Sequence, residues 1–429
     1  MKKIVLLILI YFSYILLGLA LTNRSIPNQE GYFELSWNFS YIDFKKTLLS
    51  PAVTPLNFFV AHLIHVLTKI SLSNAWKVMD LSASGGIVVF LIHIYWTKNK
   101  SKNLVFMLLP PLIIFSSIGF IYSFTSMSGE GMTILFAMLG VYNWQNKKFL
   151  TATFLFSLSF LAKYTIYLIG PGIIIWTLLN IKSYSKSEIR KIVIAGTFFL
   201  ILFFTYHYLK NFGDFKLHTQ YINDLTGKAI ITNFPYYFFA ISLGAPIIAI
   251  FSYLNPNFRN IYFLCALSAL IMLLRRYFYW NHPQQVISFL MLYFFSHPKS
   301  ISWIKSKYAF LQLIFSISLL LIMPLISREN PIFYKHMTTT ESFKIDNEIY
   351  RDYHSGKIGY YLNRRFDEQF PNYEISYSGP EIDSIIRQTE YIVIPTFLGM
   401  PDYLKRLNQC RYFYQNQIGL NTIYKVVCR

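Results

Sequence analysis

Four short stretches of this chain place ionisable side chains where their chemistry is unusual. The first is NQEGYF, Asn28 to Phe33, in which Glu30 follows a long apolar run. A carboxylate held against a membrane surface is partly desolvated, which suits it to take a proton from a hydroxyl. A solvated loop acid or a helix cap is the plain alternative for Glu30. The second stretch is SGEGM, where Glu130 lies between two glycines that allow close backbone approach. A carboxylate at the end of an apolar run is costly unless it faces protein or water, so Glu130 is either a substrate-orienting group or a structural one. In the third, LAKY, Lys163 either holds an anionic group or snorkels to an interface. The fourth, RRYFYWNHP from Arg275 to Pro283, offers the guanidinium forks of Arg275 and Arg276 for a phosphate. Tyr279 and His282 add flat, partly polar surfaces for a sugar or lipid. The competing reading of this stretch is an aromatic belt at a membrane interface.

These residues are set among apolar runs. Hydrophobic residues make up 54% of the 429 and charged residues only 14%, well below the quarter usual in soluble proteins. Ile4 to Thr22 contains no charge, and comparable runs recur as far as Ser327, each near the roughly 20 residues that cross a hydrocarbon core. The net charge of +19 sits in short tracts between these runs and comes with no recognition motif, which argues against nucleic acid. Placing the basic tracts at Lys2–Lys3, Lys98–Lys102, Lys147–Lys148, Lys182–Lys191, Arg259 and Lys299–Lys307 on the cytoplasmic side gives about eleven spans. They are 4–22, 77–97, 104–122, 131–145, 149–162, 165–181, 192–208, 233–254, 261–274, 284–296 and 308–326.

The expected fold is therefore an α-helical integral membrane protein with a large first outer loop and a small C-terminal α/β extracytoplasmic domain. The transmembrane domain covers residues 1–327, the loop 23–76 and the soluble domain 328–429. Pro51 to Ile70 is apolar enough to span, but counting it would put Lys98 to Lys102 outside. It is read as a membrane-surface helix, with His62, His65 and Lys69 on a polar stripe. The N-terminus is cytoplasmic in this scheme and the first span is uncleaved. All four chemical stretches then face outward, and paired arginines on that side run against the positive-inside bias, so a local anion is expected to hold them. In the tail, Glu381 to Gln388 reads as helix, and Glu390 to Pro395 and Thr422 to Cys428 read as strands. Cys265 lies in an apolar run and reads as core. Cys410 and Cys428 both fall in the tail, where export would permit a disulfide.

In their order and common side these stretches resemble the polytopic C-type glycosyltransferases, which include protein O-mannosyltransferases and the aminoarabinose transferases acting on lipid A. The likeness adds SPAVTPLNFFVAHLIHVLTK in the first loop and FLFSLSFLAKYT to the four stretches, and it covers nearly the whole chain. It implies a cell-membrane enzyme that moves a sugar from a polyprenyl-phosphate carrier to a lipid, glycan or protein acceptor on the outer face, with inversion. It implies Glu30 as the base, Arg275 and Arg276 with Lys163 on the carrier phosphate, and Glu130 orienting acceptor or sugar. No cofactor is required by the likeness, and a divalent metal is left open. The family's Asp-Glu pair reads Gln29-Glu30 here, so Glu30 takes over the role, or Asp43 serves, or activity is lost. A non-enzymatic lipid-linked sugar flippase, with Asp80 and His93 lining a path, and a membrane assembly protein are the alternatives.

Overall fold

A computed structural model describes residues 2–22, 55–70, 72–98, 104–117, 130–209, 245–274, 283–304, 358–361, 373–376, 390–395, 410–418 and 421–428, with single positions between 234 and 242 and between 310 and 314. Glu30, Asp43, Arg275, Arg276, Tyr279, His282 and the helix read at Glu381 to Gln388 lie outside the described residues. The chain divides into two compact units. The described part of one is a helical body, and that of the other is a sheet.

The body comprises α1 (Lys2–Thr22), α2 (Pro55–Thr68), α3 (Leu72–Lys98), α4 (Leu104–Phe115), α5 (Glu130–Gln145), α6 (Phe149–Ala162), α7 (Gly170–Leu179), α8 (Lys186–Leu209), α9 (Pro246–Leu254), α10 (Ile261–Leu273), α11 (Pro283–Ser296) and α12 (Ser300–Ile304). Their starts follow from local chemistry. Asn260 accepts from the Tyr262 and Phe263 amides at the head of α10, Ser185 and Glu188 cap α8 reciprocally, and Pro171 and Pro246 occupy first turns where their missing N–H costs nothing. Pro111 inside α4 cannot donate to the Met107 carbonyl, and the Trp96 indole N–H of α3 bonds that oxygen instead, at 3.3 Å.

Helix α11 is buried along its length and packs on α3, α5, α9 and α10, so it is the middle of the body. The amphipathic segment of the first loop does form a helix, α2, which rests Asn57 and Ala61 on α3 and α6 and leaves Phe59, Leu63 and Leu67 exposed. Exposed Leu16, Phe154, Leu179 and Ile201 give α1, α6, α7 and α8 apolar outer faces of the kind a bilayer covers. Among the described residues, Ala75–Lys98 is the one helix long and apolar enough by itself to cross a membrane. One expected span is interrupted. The run 165–181 is a 3-10 turn at Tyr164–Leu168, then α7, then a second 3-10 turn at Ile181–Ser183, because Gly170 and Pro171 restart the helix.

In the other unit β1 (Ile358–Tyr361), β2 (Tyr373–Ser376), β3 (Tyr391–Pro395), β4 (Cys410–Ile418) and β5 (Asn421–Cys428) form one mixed sheet in the order β2-β1-β3-β5-β4. The first three strands are parallel, and β3, β5 and β4 are antiparallel. The strands read at Glu390 to Pro395 and Thr422 to Cys428 appear as β3 and β5. Cys410 and Cys428 stand opposite each other in the β4–β5 ladder and form a disulfide, and Cys265 is a buried free thiol of the body.

Candidate functional site

Glu130 opens α5 and Gly131 follows it. The Gly131 amide donates to Asp80 Oδ1 of α3 at 2.9 Å. A Cβ at position 131 would sit 2.6 Å from that oxygen and 2.8 Å from the Asp80 carbonyl, so the glycine is what admits α3 this closely. Asp80, 1% exposed, therefore answers one of the unpaired amides at a helix start and sits where the helix dipole favours a negative charge. One turn before it on α3, Lys77 is also buried.

Lys163 reaches the same place by a different route. Helix α6 stops at Ala162, and Lys163 is extended (φ −163°, ψ 137°) with its amide on the Ser159 carbonyl. The chain then turns into the 3-10 segment, which Ser268 of α10 pins by donating to the Leu168 carbonyl at 2.7 Å. Lys163 Nζ lies 2.8 Å from Glu130 Oε1, with both side chains largely removed from solvent. The other carboxylate oxygen, Oε2, accepts from Thr165 Oγ1 at 2.8 Å and from Gln285 Nε2 of α11 at 3.3 Å. Ser159 Oγ donates to the Thr133 carbonyl at 2.7 Å, fastening α6 to α5 one turn deeper.

Glu130 and Lys163, two of the seven candidate site residues, thus meet in one buried ion pair. Its low-dielectric setting makes the pair strong only because the remaining lone pairs are answered by Thr165 and Gln285. The formal charges of the pair cancel, and Asp80 adjoins it through the Gly131 amide. Asp80 is engaged with the Gly131 amide, and His93 is exposed on α3. Sequence reasoning missed the Asp80–Gly131 contact, Lys77, Thr165 and Gln285. The available signals were two charges three residues apart at the head of an apolar helix, a glycine after the acid, and a Gln pair following Pro283. No three His, Cys, Asp or Glu converge to hold a metal among the described residues.

Two crystal structures of ArnT from Cupriavidus metallidurans superpose on the chain from end to end. The one bound to undecaprenyl phosphate aligns with a TM-score of 0.54 at 11% identity, covering 99% of this chain and 98% of that one. The apo structure aligns with a TM-score of 0.53 at 11% identity, covering 99% and 97%. The chain has the ArnT fold. That fold is shared with an aminoarabinose lipid A transferase of the C-type glycosyltransferases, the group that the sequence motifs resemble. It is the fold of a polytopic membrane protein, here with a small C-terminal sheet. No family model matches the chain, and no curated protein matches it either. Within the ArnT fold, the Glu130–Lys163 node ties together α3, α5, the α6–3-10 turn and the start of α11, the helix that follows residues 275–282 in sequence.

Proposed function

We propose that the chain is a membrane glycosyltransferase that moves a sugar from a polyprenyl-phosphate carrier to an acceptor hydroxyl on the outer face of the membrane. The observation that carries this reading is the end-to-end likeness to ArnT, solved with undecaprenyl phosphate, in a chain whose motifs follow the C-type order. In the proposed reaction Glu30 takes the proton of the acceptor hydroxyl as its oxygen attacks the anomeric carbon, with inversion. The bond from that carbon to the phosphate oxygen breaks, and the electron pair leaves with the polyprenyl phosphate. Arg275 and Arg276 hold that phosphate and stabilise its charge as it departs, with Tyr279 and His282 beside the sugar.

The ion pair refines the roles of Lys163 and Glu130. A lysine already held at 2.8 Å by a carboxylate offers a phosphate little net charge, so the pair acts as a neutral wall that orients the sugar or acceptor. The Cys410–Cys428 disulfide supports an extracytoplasmic sheet, since disulfides persist in oxidising compartments, and with it a cell-membrane protein whose N-terminus is cytoplasmic. The domain division at 327/328, the span order and the lipid, glycan or protein acceptor belong to the same proposal.

The test is transfer of radiolabelled sugar from synthetic polyprenyl phosphates by the full chain in lipid nanodiscs supplied with envelope glycolipids. Glu30→Gln and Arg276→Ala should each abolish transfer while the protein still inserts. Transfer at the wild-type rate in both variants would defeat the assignment, as would maleimide labelling that puts cysteines at positions 30 and 276 on opposite sides of the membrane.

A further inference from the structure

The first two turns of α11 hold polar atoms that the ion pair does not use. Gln285 is 4% exposed and gives its Nε2 to Glu130. A carboxylate only accepts, so the amide must turn its NH2 toward Glu130, which fixes Oε1 in the other direction. That oxygen is buried and has no hydrogen-bond donor among the described residues. Ser288, one turn further along α11, is fully buried, and its hydroxyl is unpaired in the same way.

Many other buried hydroxyls in this body return to a carbonyl of their own helix, and Ser159, Thr165 and Ser268 donate to neighbouring elements. Ser84 donates to the Leu81 carbonyl, Thr153 to Phe149, Ser157 to Thr153 and Ser252 to Ile248, at 3.0, 2.8, 2.9 and 2.7 Å. Ser288 does neither, and unlike Ser300, the other unpaired serine hydroxyl, it lies one turn from a second unpaired oxygen, that of Gln285. An unsatisfied buried polar group costs about 1–3 kcal/mol, so two on adjacent turns beside an anchored carboxylate make an arrangement that a ligand completes.

We propose that Gln285 Oε1 and Ser288 Oγ form a subsite for a hydroxyl of the transferred sugar. This rests on the transferase reading above and adds a specificity-determining pair to it. The chemistry selects the ligand. An amide oxygen needs a donor, which excludes an ionised phosphate, and the neighbouring Glu130–Lys163 pair is neutral overall, which suits an uncharged hydroxyl. A serine hydroxyl can donate as well as accept, so one sugar hydroxyl can accept from Ser288 while donating to Gln285. Sites built to bond a substrate hydroxyl reject the analogue that lacks it, because their own groups are then left unpaired.

The experiment crosses a series of monodeoxy polyprenyl-phosphate sugars with the wild type, Ser288→Ala and Gln285→Met, all as full chains in nanodiscs. The wild type should lose about tenfold in kcat/KM on one monodeoxy donor. Each variant should lose about tenfold on the parent sugar and nothing further on that same deoxy donor. Equal losses in wild type and variants on every donor would overturn the subsite and leave the transferase reading standing. No transfer by the wild type from any polyprenyl-phosphate sugar would sink the transferase reading and the subsite with it. Ser288→Ala removes a single unpaired oxygen and leaves the Gln285–Glu130 bond in place, so it keeps the test sound if Gln285→Met fails to fold.

Discussion

If Glu130 and Lys163 form one electrostatic unit, their removal is non-additive. Glu130→Gln keeps the shape of the side chain but leaves the Lys163 ammonium facing a neutral amide, with side chains only 15% and 7% exposed to share the cost with solvent. Stranding one partner of a buried pair costs about 3 kcal/mol, the lower end of the usual range, because Lys163 retains some exposure. Lys163→Met strands the carboxylate in turn, supported only by the Thr165 hydroxyl and the Gln285 amide, for a similar loss. The double variant leaves no uncompensated charge and should cost about as much as either single change, a coupling of about 3 kcal/mol. Equilibrium unfolding of the four proteins in mixed micelles measures it. Losses that simply add would refute the pairing and with it the neutral-wall role given to these residues.

Four other outcomes follow from contacts elsewhere in the structure. Gly131→Ala should destabilise by about 1–3 kcal/mol, since the Asp80 carbonyl at 2.8 Å belongs to a backbone that cannot give way. Gly196→Ala on α8, where nothing lies within 4 Å of an added Cβ, should instead be neutral or gain up to about 1 kcal/mol, as paired thermal unfolding would show. Alkylation of the denatured, unreduced protein should label Cys265 alone, and reduction should expose all three cysteines; three labels without reductant would contradict the β4–β5 bridge. The Ser185 backbone N–H and then the Lys147 ammonium hold the Glu188 carboxyl below the ordinary glutamate value. Its stabilising contribution is then complete above that ordinary value and lost as the pH falls through the lowered one, so Glu188→Gln should flatten the acid limb of the stability profile.

Much of the helical body was legible because its signals are local. The chargeless run after Lys3, the proline-led amphipathic stretch beginning near Pro51 and the apolar run from Ile261 each appear as helices close to where periodicity put them. The strands β3 and β5 were legible for the same reason, as β-branched and aromatic residues between polar ones. What the pattern could not convey is distance along the chain. Asp80 reaches Gly131 across 51 residues, and Gln285 reaches Glu130 across 155, and neither partner's surroundings announce the other. The apolar neighbours of Lys163 left anion binding and snorkelling both open; its orientation is decided by the extended backbone after α6 and by an acid 33 residues earlier. The 3-10 interruptions around α7 were missed because hydropathy averages over Gly170 and Pro171.

The way Glu130 and Lys163 are held bears on how such a protein diverges. A lineage that lost only the acid, or only the lysine, would pass through a form weakened by several times thermal energy before the second change could repair it. Descendants should therefore keep both residues or exchange both together, and an homologue carrying one without the other should also show a compensating charge contributed by α3 or the first turn of α11.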